Sequence, residues 1–131
     1  MRLGERVKAI AGDKKLPVVY DAVGKTTWEG SLDCLRPRGL MVSFGNASGA
    51  VAPVNLGILS TKGSLYVTRP TLATHIASRA DLVERSNALF EVVKSGKVKI
   101  ETTKKYKLAD AAQAHRDLEG RKTTGSVVLI P

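Results

Sequence analysis

Glycine, asparagine and serine residues follow an apolar run in residues 39–49, GLMVSFGNASG. This composition after a buried strand is typical of a nucleotide site. However, neither the fingerprint G-x-G-x-x-G nor the P-loop G-x-x-x-x-G-K-[ST] occurs in the chain. Gly45 and Gly49 are not followed at once by a helix whose N–H groups could face an anion, because Ala50–Pro53 intervene. The segment is therefore not predicted to bind a pyrophosphate.

Asp21 ends an apolar run and precedes Ala-Val-Gly. A carboxylate at the carboxyl end of a strand in an open α/β sheet lies near the crevice where ligands bind. The same carboxylate could instead serve as a negative charge at the N-terminus of the following helix. Both interpretations stand, and a structural role is favoured over a catalytic one.

The remaining reactive side chains do not form a catalytic or metal-binding pattern. Cys34 has no cationic neighbour that would lower its pKa, and a packed, inert thiol is predicted. His75 and His115 have no partner at a metal-ligand spacing, and His115 shares an apolar face with Leu108 and Leu118. No G-x-S-x-G, paired-carboxylate or H-E-x-x-H motif is present. We assign no catalytic residue and no metal ligand.

Composition indicates one soluble domain. The chain has 131 residues, 43% of them hydrophobic and 25% charged, with a single cysteine that excludes an intramolecular disulfide. No apolar run approaches the roughly 20 residues that would cross a membrane, and the N-terminal segment lacks the apolar core of a signal peptide. A cytoplasmic protein is the simplest prediction.

The formal net charge of +9 raises the possibility of a nucleic-acid partner. Six lysines fall between Lys94 and Lys107, largely alternating with other residues, and only Tyr106 is available there for stacking. A solvated lysine face that protects a sheet edge is favoured, so nucleic-acid binding is not expected.

Helical and strand patterns alternate along the chain. Helices are predicted over 3–12, 26–39, 53–63, 81–95 and 108–120, and strands over 16–24, 39–45, 64–70, 97–102 and 126–131. Asp81 and Glu84 are predicted to form a capping box, with Gly96 at the C′ position. Continuous apolar strands favour an α/β fold with a mostly parallel sheet covered on both faces. No linker is evident, so one layered structure is predicted.

Three segments together resemble a known family. VVYDAVGKTTWEGSLDCLRPRGLMVSFGNASG, NLGILSTKGSLYVTRP and LADAAQAHRDLEGRKTTGSVVLIP are similar to the C-terminal half of NADPH-dependent quinone oxidoreductases, the zinc-free, zeta-crystallin-like branch of the medium-chain dehydrogenase/reductase superfamily. The resemblance implies a partial Rossmann fold: the second half of the nucleotide-binding domain plus a C-terminal closing segment. The glycine-rich half and the catalytic GroES-like domain would precede Met1.

The resemblance also implies cofactor contacts after the first two strands. Val23 and Gly24 would lie beside the adenosine and pyrophosphate portion of NADPH. Phe44, Gly45 and Asn46 would flank the nicotinamide half, with the loop backbone meeting the carboxamide or its ribose. These groups follow strands at their carboxyl ends, where ligands bind in such sheets, and Gly45 permits close backbone approach.

Further contacts are implied after the third strand and the last helix. Thr68, Arg69 and Pro70 would lie near the nicotinamide end, and Arg121 would be a basic contact to the cofactor. The family also forms homodimers through this half, which implies that the edge strand in residues 63–70 pairs with its twofold mate. A buried strand in a monomer is the competing interpretation for that segment.

The function implied by the resemblance is hydride transfer from NADPH to quinones or related electrophilic carbonyls. The 131 residues alone are then expected to have little activity and weak cofactor affinity, because the pyrophosphate loop lies outside them. One alternative is a non-catalytic dimerisation or regulatory module that keeps a half-Rossmann fold. Another is weak, salt-sensitive polyanion binding through the lysines of residues 94–107.

Overall fold

The computed structural model describes residues 3–131. Met1, before which the resemblance implies a glycine-rich half and a GroES-like domain, lies outside that range. Each predicted helix and strand has a counterpart in the structure, and residues 72–75 form a further short helix that the sequence does not predict. The helices are α1 (Leu3–Ala11), α2 (Trp28–Asp33), α3 (Gly57–Thr61), α4 (Leu72–His75), α5 (Arg79–Lys94) and α6 (Ala111–Glu119). The strands are β1 (Leu16–Asp21), β2 (Leu35–Ser43), β3 (Tyr66–Thr68), β4 (Thr102–Lys107) and β5 (Ser126–Ile130).

The chain divides into two compact units, one ending at Ala77 and one running from Ser78 to Pro131. In the first unit, β1, β2 and β3 form a parallel sheet in that order. In the second unit, β4 pairs in parallel with β5. The α/β class and the parallel pairing are confirmed. The prediction of one layered structure is not confirmed, because the strands form two separate sheets. The absence of a glycine- or proline-rich linker does not show which strands pair.

The first unit has a hydrophobic core that its sheet and helices share. Its buried members are Leu32, Leu35, Met41 and Leu65, and Val19, Trp28, Ile58 and Leu59 pack against them. Leu56, at the start of the short helix α3, is exposed. Leu56 is the N-cap residue of α3 and precedes the turn that packs on the sheet.

The junction of α2 and β2 differs from the sequence prediction. The apolar spacing predicts a helix that includes Leu35 and ends at Pro37 and Gly39, but α2 ends at Asp33 and β2 begins at Leu35. The Leu16 N–H donates to the Cys34 carbonyl (2.9 Å), so pairing with β1 begins directly after the helix. The register then shifts between Leu16 and Val18, on either side of Pro17.

In the second unit, α5 begins earlier than predicted. Ser78 is its N-cap residue: the Ser78 hydroxyl accepts from the Asp81 N–H (3.1 Å) and donates to the Asp81 carboxylate (2.7 Å). The predicted capping pair of Asp81 and Glu84 is therefore wrong, because Asp81 occupies the third helical position. Gly96 follows the C-cap residue, as predicted.

The strand β4 and the helix α6 also correct the predicted pattern. The strand was predicted over 97–102 but begins at Thr102. The predicted inward face of α6 included His115 and Leu118, both of which are exposed, whereas Ala114 and Asp117 are buried. Asp117 faces inward because Lys104 and Tyr106 of β4 donate hydrogen bonds to its carboxylate, and these bonds orient α6.

Candidate functional site

Three loops meet at the carboxyl edge of the first unit's sheet. In the parallel register, Asp21 lies opposite Ser43, and Val42 lies opposite Thr68, so the chain leaves all three strands at the same edge. The structure thus brings together the predicted site residues of this unit, which are Val23, Gly24, Phe44, Gly45, Asn46, Thr68, Arg69 and Pro70. A common sheet edge is the position at which open α/β sheets bind ligands.

Asp21 organises the first of these loops and is only 4% exposed. One carboxylate oxygen accepts from the N–H groups of Val23 (2.7 Å) and Gly24 (2.9 Å). The other accepts from the hydroxyls of Thr27 and Ser31, both at 2.7 Å. Burial alone raises the pKa of Asp21, but these hydrogen bonds outweigh it and hold the pKa below its usual value. The structural interpretation of Asp21 is the one that these contacts support.

The first and second loops are joined by backbone hydrogen bonds that continue beyond the strands. The Phe44 N–H donates to the Asp21 carbonyl (2.9 Å), and the Ala47 N–H donates to the Ala22 carbonyl (3.2 Å). Ser48 donates twice to the Val23 carbonyl, through its N–H and its hydroxyl, each at 2.8 Å. The two loops therefore form one bonded layer at the sheet edge, and neither is a free turn.

Close contact between these loops explains two of their glycines. A Cβ atom on Gly24, where φ is +87°, would lie 2.7 Å from the Gly49 carbonyl oxygen. A Cβ atom on Gly45 would lie 2.8 Å from the Ala22 Cα. Both positions exclude a side chain because protein backbone fills the space. The close contact with Ala22 explains why residue 45 is glycine, without the need for a bound ligand.

Arg69, directly after β3, reaches across to the second loop. Its Nη1 donates to the Ser43 hydroxyl and the Gly45 carbonyl, both at 3.2 Å. The Asn46 amide satisfies its surroundings when its nitrogen donates to the Gly45 carbonyl (2.9 Å) and its oxygen accepts from Arg69 Nη2 (3.3 Å). The guanidinium thus joins the third strand's end to the loop that follows the second.

Two apolar side chains at this edge face outward. Phe44 is 51% exposed, and Val23 is also exposed. An open cleft of about 420 Å³ in the same unit has a lining that includes Lys25, Trp28 and Pro53. The sequence prediction did not include these cleft residues. The only signal available was the position of Trp28 soon after a strand that ends at the site.

The other candidate side chains give no catalytic arrangement. Cys34 is buried and its thiol contacts the Gly30 carbonyl (3.1 Å). Burial, with Asp33 nearby, raises the pKa of Cys34, in agreement with an inert thiol. Arg121 lies in the second unit, two residues after the end of α6, where its N–H donates to the Leu118 carbonyl (3.0 Å). Its predicted contact with a cofactor stays a prediction.

Within residues 3–131, no group of three or more His, Cys, Asp or Glu side chains could hold a metal ion. None of the helices in the same range is long and apolar enough to span a membrane.

A sequence model of the family described as zinc-binding dehydrogenase matches residues 3–129. The chain belongs to the zinc-binding dehydrogenase family. Among curated members, quinone oxidoreductase 1 of Escherichia coli is 60% identical over 131 residues, which is 98% of this chain and 40% of that protein. A 2-haloacrylate reductase of a Burkholderia species is 44% identical over 128 residues, covering 97% of this chain and 38% of the relative.

Solved structures agree with this membership in the zinc-binding dehydrogenase family. The crystal structure of Escherichia coli quinone oxidoreductase complexed with NADPH superposes with a TM-score of 0.92 and 59% identity, over all of this chain and 41% of that one. The resemblance seen in the sequence is confirmed. The chain spans about 40% of the length of the curated relatives it matches, and the matched part is their C-terminal portion.

Proposed function

We propose that this chain is the C-terminal part of an NADPH-dependent quinone oxidoreductase, in which it supplies the nicotinamide-side wall of the cofactor site. The observation that supports this most directly is the joined edge of three loops, in a chain whose fold matches that of an NADPH-bound quinone oxidoreductase. NADPH, when bound, supplies the hydride, so the residues of this chain position the cofactor and exclude water from it.

The first-unit edge fits a planar, partly polar cofactor. The outward-facing ring of Phe44 and the side chain of Val23 offer apolar surface, while the Gly45 and Asn46 backbone is held close to them. We propose that Val23 and Gly24 lie towards the adenosine and pyrophosphate portion of NADPH. We propose that Phe44, Gly45 and Asn46 flank the nicotinamide half, with the loop backbone meeting the carboxamide or its ribose. Thr68, Arg69 and Pro70 would lie near the nicotinamide end, and Arg121 would be a basic contact.

The substrates that we propose are quinones or related electrophilic carbonyl compounds. The Escherichia coli relative is named for quinones, and the Burkholderia relative for a haloacrylate, which is also an electron-poor, conjugated acceptor. The carboxylate described at the proposed edge, Asp21, is buried and accepts hydrogen bonds from four donors of the protein itself, which leaves it in a structural role. We therefore assign this chain no proton donor, and we propose zinc-independent catalysis in the cytoplasm.

We also propose that β3 forms a homodimer interface. It is the edge strand of its sheet, and all of its residues are exposed. An exposed strand edge without a charged residue favours pairing with a second copy. This strand also favours the second candidate function, a non-catalytic dimerisation module, which would keep the edge strand but not need the loops.

A chimera separates these two functions. The 131 residues should replace the matching C-terminal portion of the Escherichia coli quinone oxidoreductase. If the proposal holds, the chimera oxidises NADPH in the presence of a quinone at a rate within roughly tenfold of the parent, because the loops that meet the cofactor are retained. The isolated chain should show little turnover.

The matched control is the same chimera with Gly45→Ala, which should displace the loop from Ala22 and reduce turnover. A folded, dimeric chimera that does not oxidise NADPH would reject the enzyme proposal and leave the dimerisation module. Turnover by the isolated chain at the parental rate would also reject the proposal as stated.

A further inference from the structure

The guanidinium of Arg69 is occupied by the protein itself. Its Nη1 lies 3.2 Å from both the Ser43 hydroxyl and the Gly45 carbonyl. In the orientation of the Asn46 amide that satisfies its neighbours, Nη2 lies 3.3 Å from the amide oxygen. All three acceptors belong to the end of β2 and the loop after it. We propose that Arg69 is a positioning residue, which holds the second loop in the shape that meets the cofactor and acts through that loop. This inference rests on the proposed function.

The chemistry of the group supports this assignment. A guanidinium is a planar fork of several donors, so it can bridge acceptors that a single ammonium cannot reach together. Within the part of the chain that the structure describes, no carboxylate forms an ion pair with Arg69. The contacts that hold the side chain are therefore those to the loop, and two of its nitrogens are used in them.

The loop is held from two sides. On the side of β1, the N–H groups of Ala47 and Ser48 donate to carbonyls of the first loop. On the side of β3, Arg69 holds the Gly45 carbonyl and the Asn46 amide oxygen. Because Arg69 forms the only side-chain bridge described from β3 to this loop, its removal leaves that side without hydrogen-bonded support.

The Asn46 side chain supports the loop and does not bind the cofactor itself. Its amide nitrogen donates to the Gly45 carbonyl and its oxygen accepts from Arg69, so both ends of the amide bind within the protein. The parts of the loop left to meet a cofactor are the exposed Phe44 ring and the backbone. Arg69 then determines where these groups stand.

The first test uses the chain without any cofactor. Amide hydrogen exchange of Ala47 and Ser48 is measured by NMR in wild type, Arg69→Ala and Arg69→Lys, with Arg36→Ala as the control. Arg36 is exposed and lies near the opposite end of β2. Both Arg69 variants should exchange these amides roughly tenfold faster, since a charge-assisted bridge is lost, and the control should not. Unchanged exchange in both Arg69 variants overturns the proposal.

The second test is an NADPH titration, at several salt concentrations, of the chimera that carries these 131 residues, followed by NMR shifts of the Phe44 and Gly45 amides. Arg69→Lys keeps the charge but not the fork, so a positioning role predicts roughly fivefold to tenfold weaker binding with the same salt dependence as wild type. Wild-type affinity in Arg69→Lys, with loss only in Arg69→Ala, means a direct charge contact and overturns the proposal. If the chimera with the unsubstituted 131 residues does not bind NADPH, the proposed function fails, and the exchange measurement alone decides whether Arg69 positions the loop.

Discussion

The backbone of Gly45 lies against that of Ala22, so that a Cβ atom on Gly45 would stand 2.8 Å from both the Ala22 Cα and its carbonyl carbon. Side chains do not reach such distances without displacement of the backbone. The two loops that follow β1 and β2 can therefore form one layer only because residue 45 is glycine. The proposed cofactor edge depends on this contact, which joins residues from two separate strands.

Substitution of Gly45 by alanine should destabilise the first unit by about 1–3 kcal/mol, since the added methyl group overpacks against backbone that cannot rotate away. Urea unfolding followed by Trp28 fluorescence measures this, because Trp28 packs on the core of the same unit. Gly4→Ala is the control: a Cβ atom there meets nothing within 4 Å. Alanine within α1 should leave stability equal or slightly higher. Equal midpoints for both variants would contradict the close contact.

Replacement of Asp21 by asparagine should cost the first unit about 2 kcal/mol, because a buried carboxylate with four donors becomes a neutral amide with one acceptor. The same unfolding experiment applies, with Asp13→Asn as the control, since the Asp13 side chain is 89% exposed. The folded state lowers the pKa of Asp21. Its contribution is therefore complete above the carboxyl's ordinary pKa and is lost as the pH falls through the lower, folded value. Asp21→Asn should remove that part of the acid dependence.

The second unit should show its own acid transition centred on Asp117. Hydrogen bonds from the Tyr106 hydroxyl (2.7 Å) and from Lys104 (3.2 Å) lower the pKa of Asp117 to about 2. The ionised form is therefore favoured by folding, and stability is lost as the pH falls from the ordinary value of 3.8 towards 2. Carboxyl carbon NMR titration of Asp117 measures the pKa directly.

Tyr106→Phe provides the matched variant for Asp117, because it removes the hydrogen bond with the largest effect and keeps the ring. The pKa of Asp117 should rise towards 3.8 in this variant. A pKa that stays near 2 would show that Tyr106 does not stabilise the carboxylate. Lys105→Ala is the control, since Lys105 lies on the same strand but does not bond to Asp117.

Association through β3 should be sensitive to charge in the strand. Wild type is expected to form a reversible dimer, and Val67→Lys should weaken association roughly tenfold or more, since a lysine at a paired edge places like charges together. Val92→Lys on α5 is a matched control, because both valines are 39% exposed. Sedimentation at several concentrations distinguishes the two variants. Equal dissociation constants in both would mean that β3 is not the interface.

Local patterns in the sequence identified most elements and their types. Apolar runs marked β1, β2 and β3, and three-and-four spacing marked α1, α5 and α6. The boundaries failed where longer-range contacts compete with local preference. Leu35 fits the helical spacing of α2, but the hydrogen bond between Leu16 and Cys34 draws the chain into the sheet at that point. Likewise, α6 turns the polar Asp117 inward because Tyr106 and Lys104 bind it.

Strand and turn preferences act over a few neighbouring residues, so they predicted that the strands end in polar, glycine-containing loops. Which of these loops touch depends on contacts between distant parts of the chain. The bonds of Arg69 to Ser43 and Gly45 span 26 and 24 positions, and the contact of Gly45 with Ala22 is similarly distant. Such contacts arise from the pairing register of β1, β2 and β3, which depends on packing against a shared core. That register cannot be read from residue spacing. In the sequence, a glycine needed for contact with a neighbouring loop therefore looks the same as a glycine needed for contact with a cofactor.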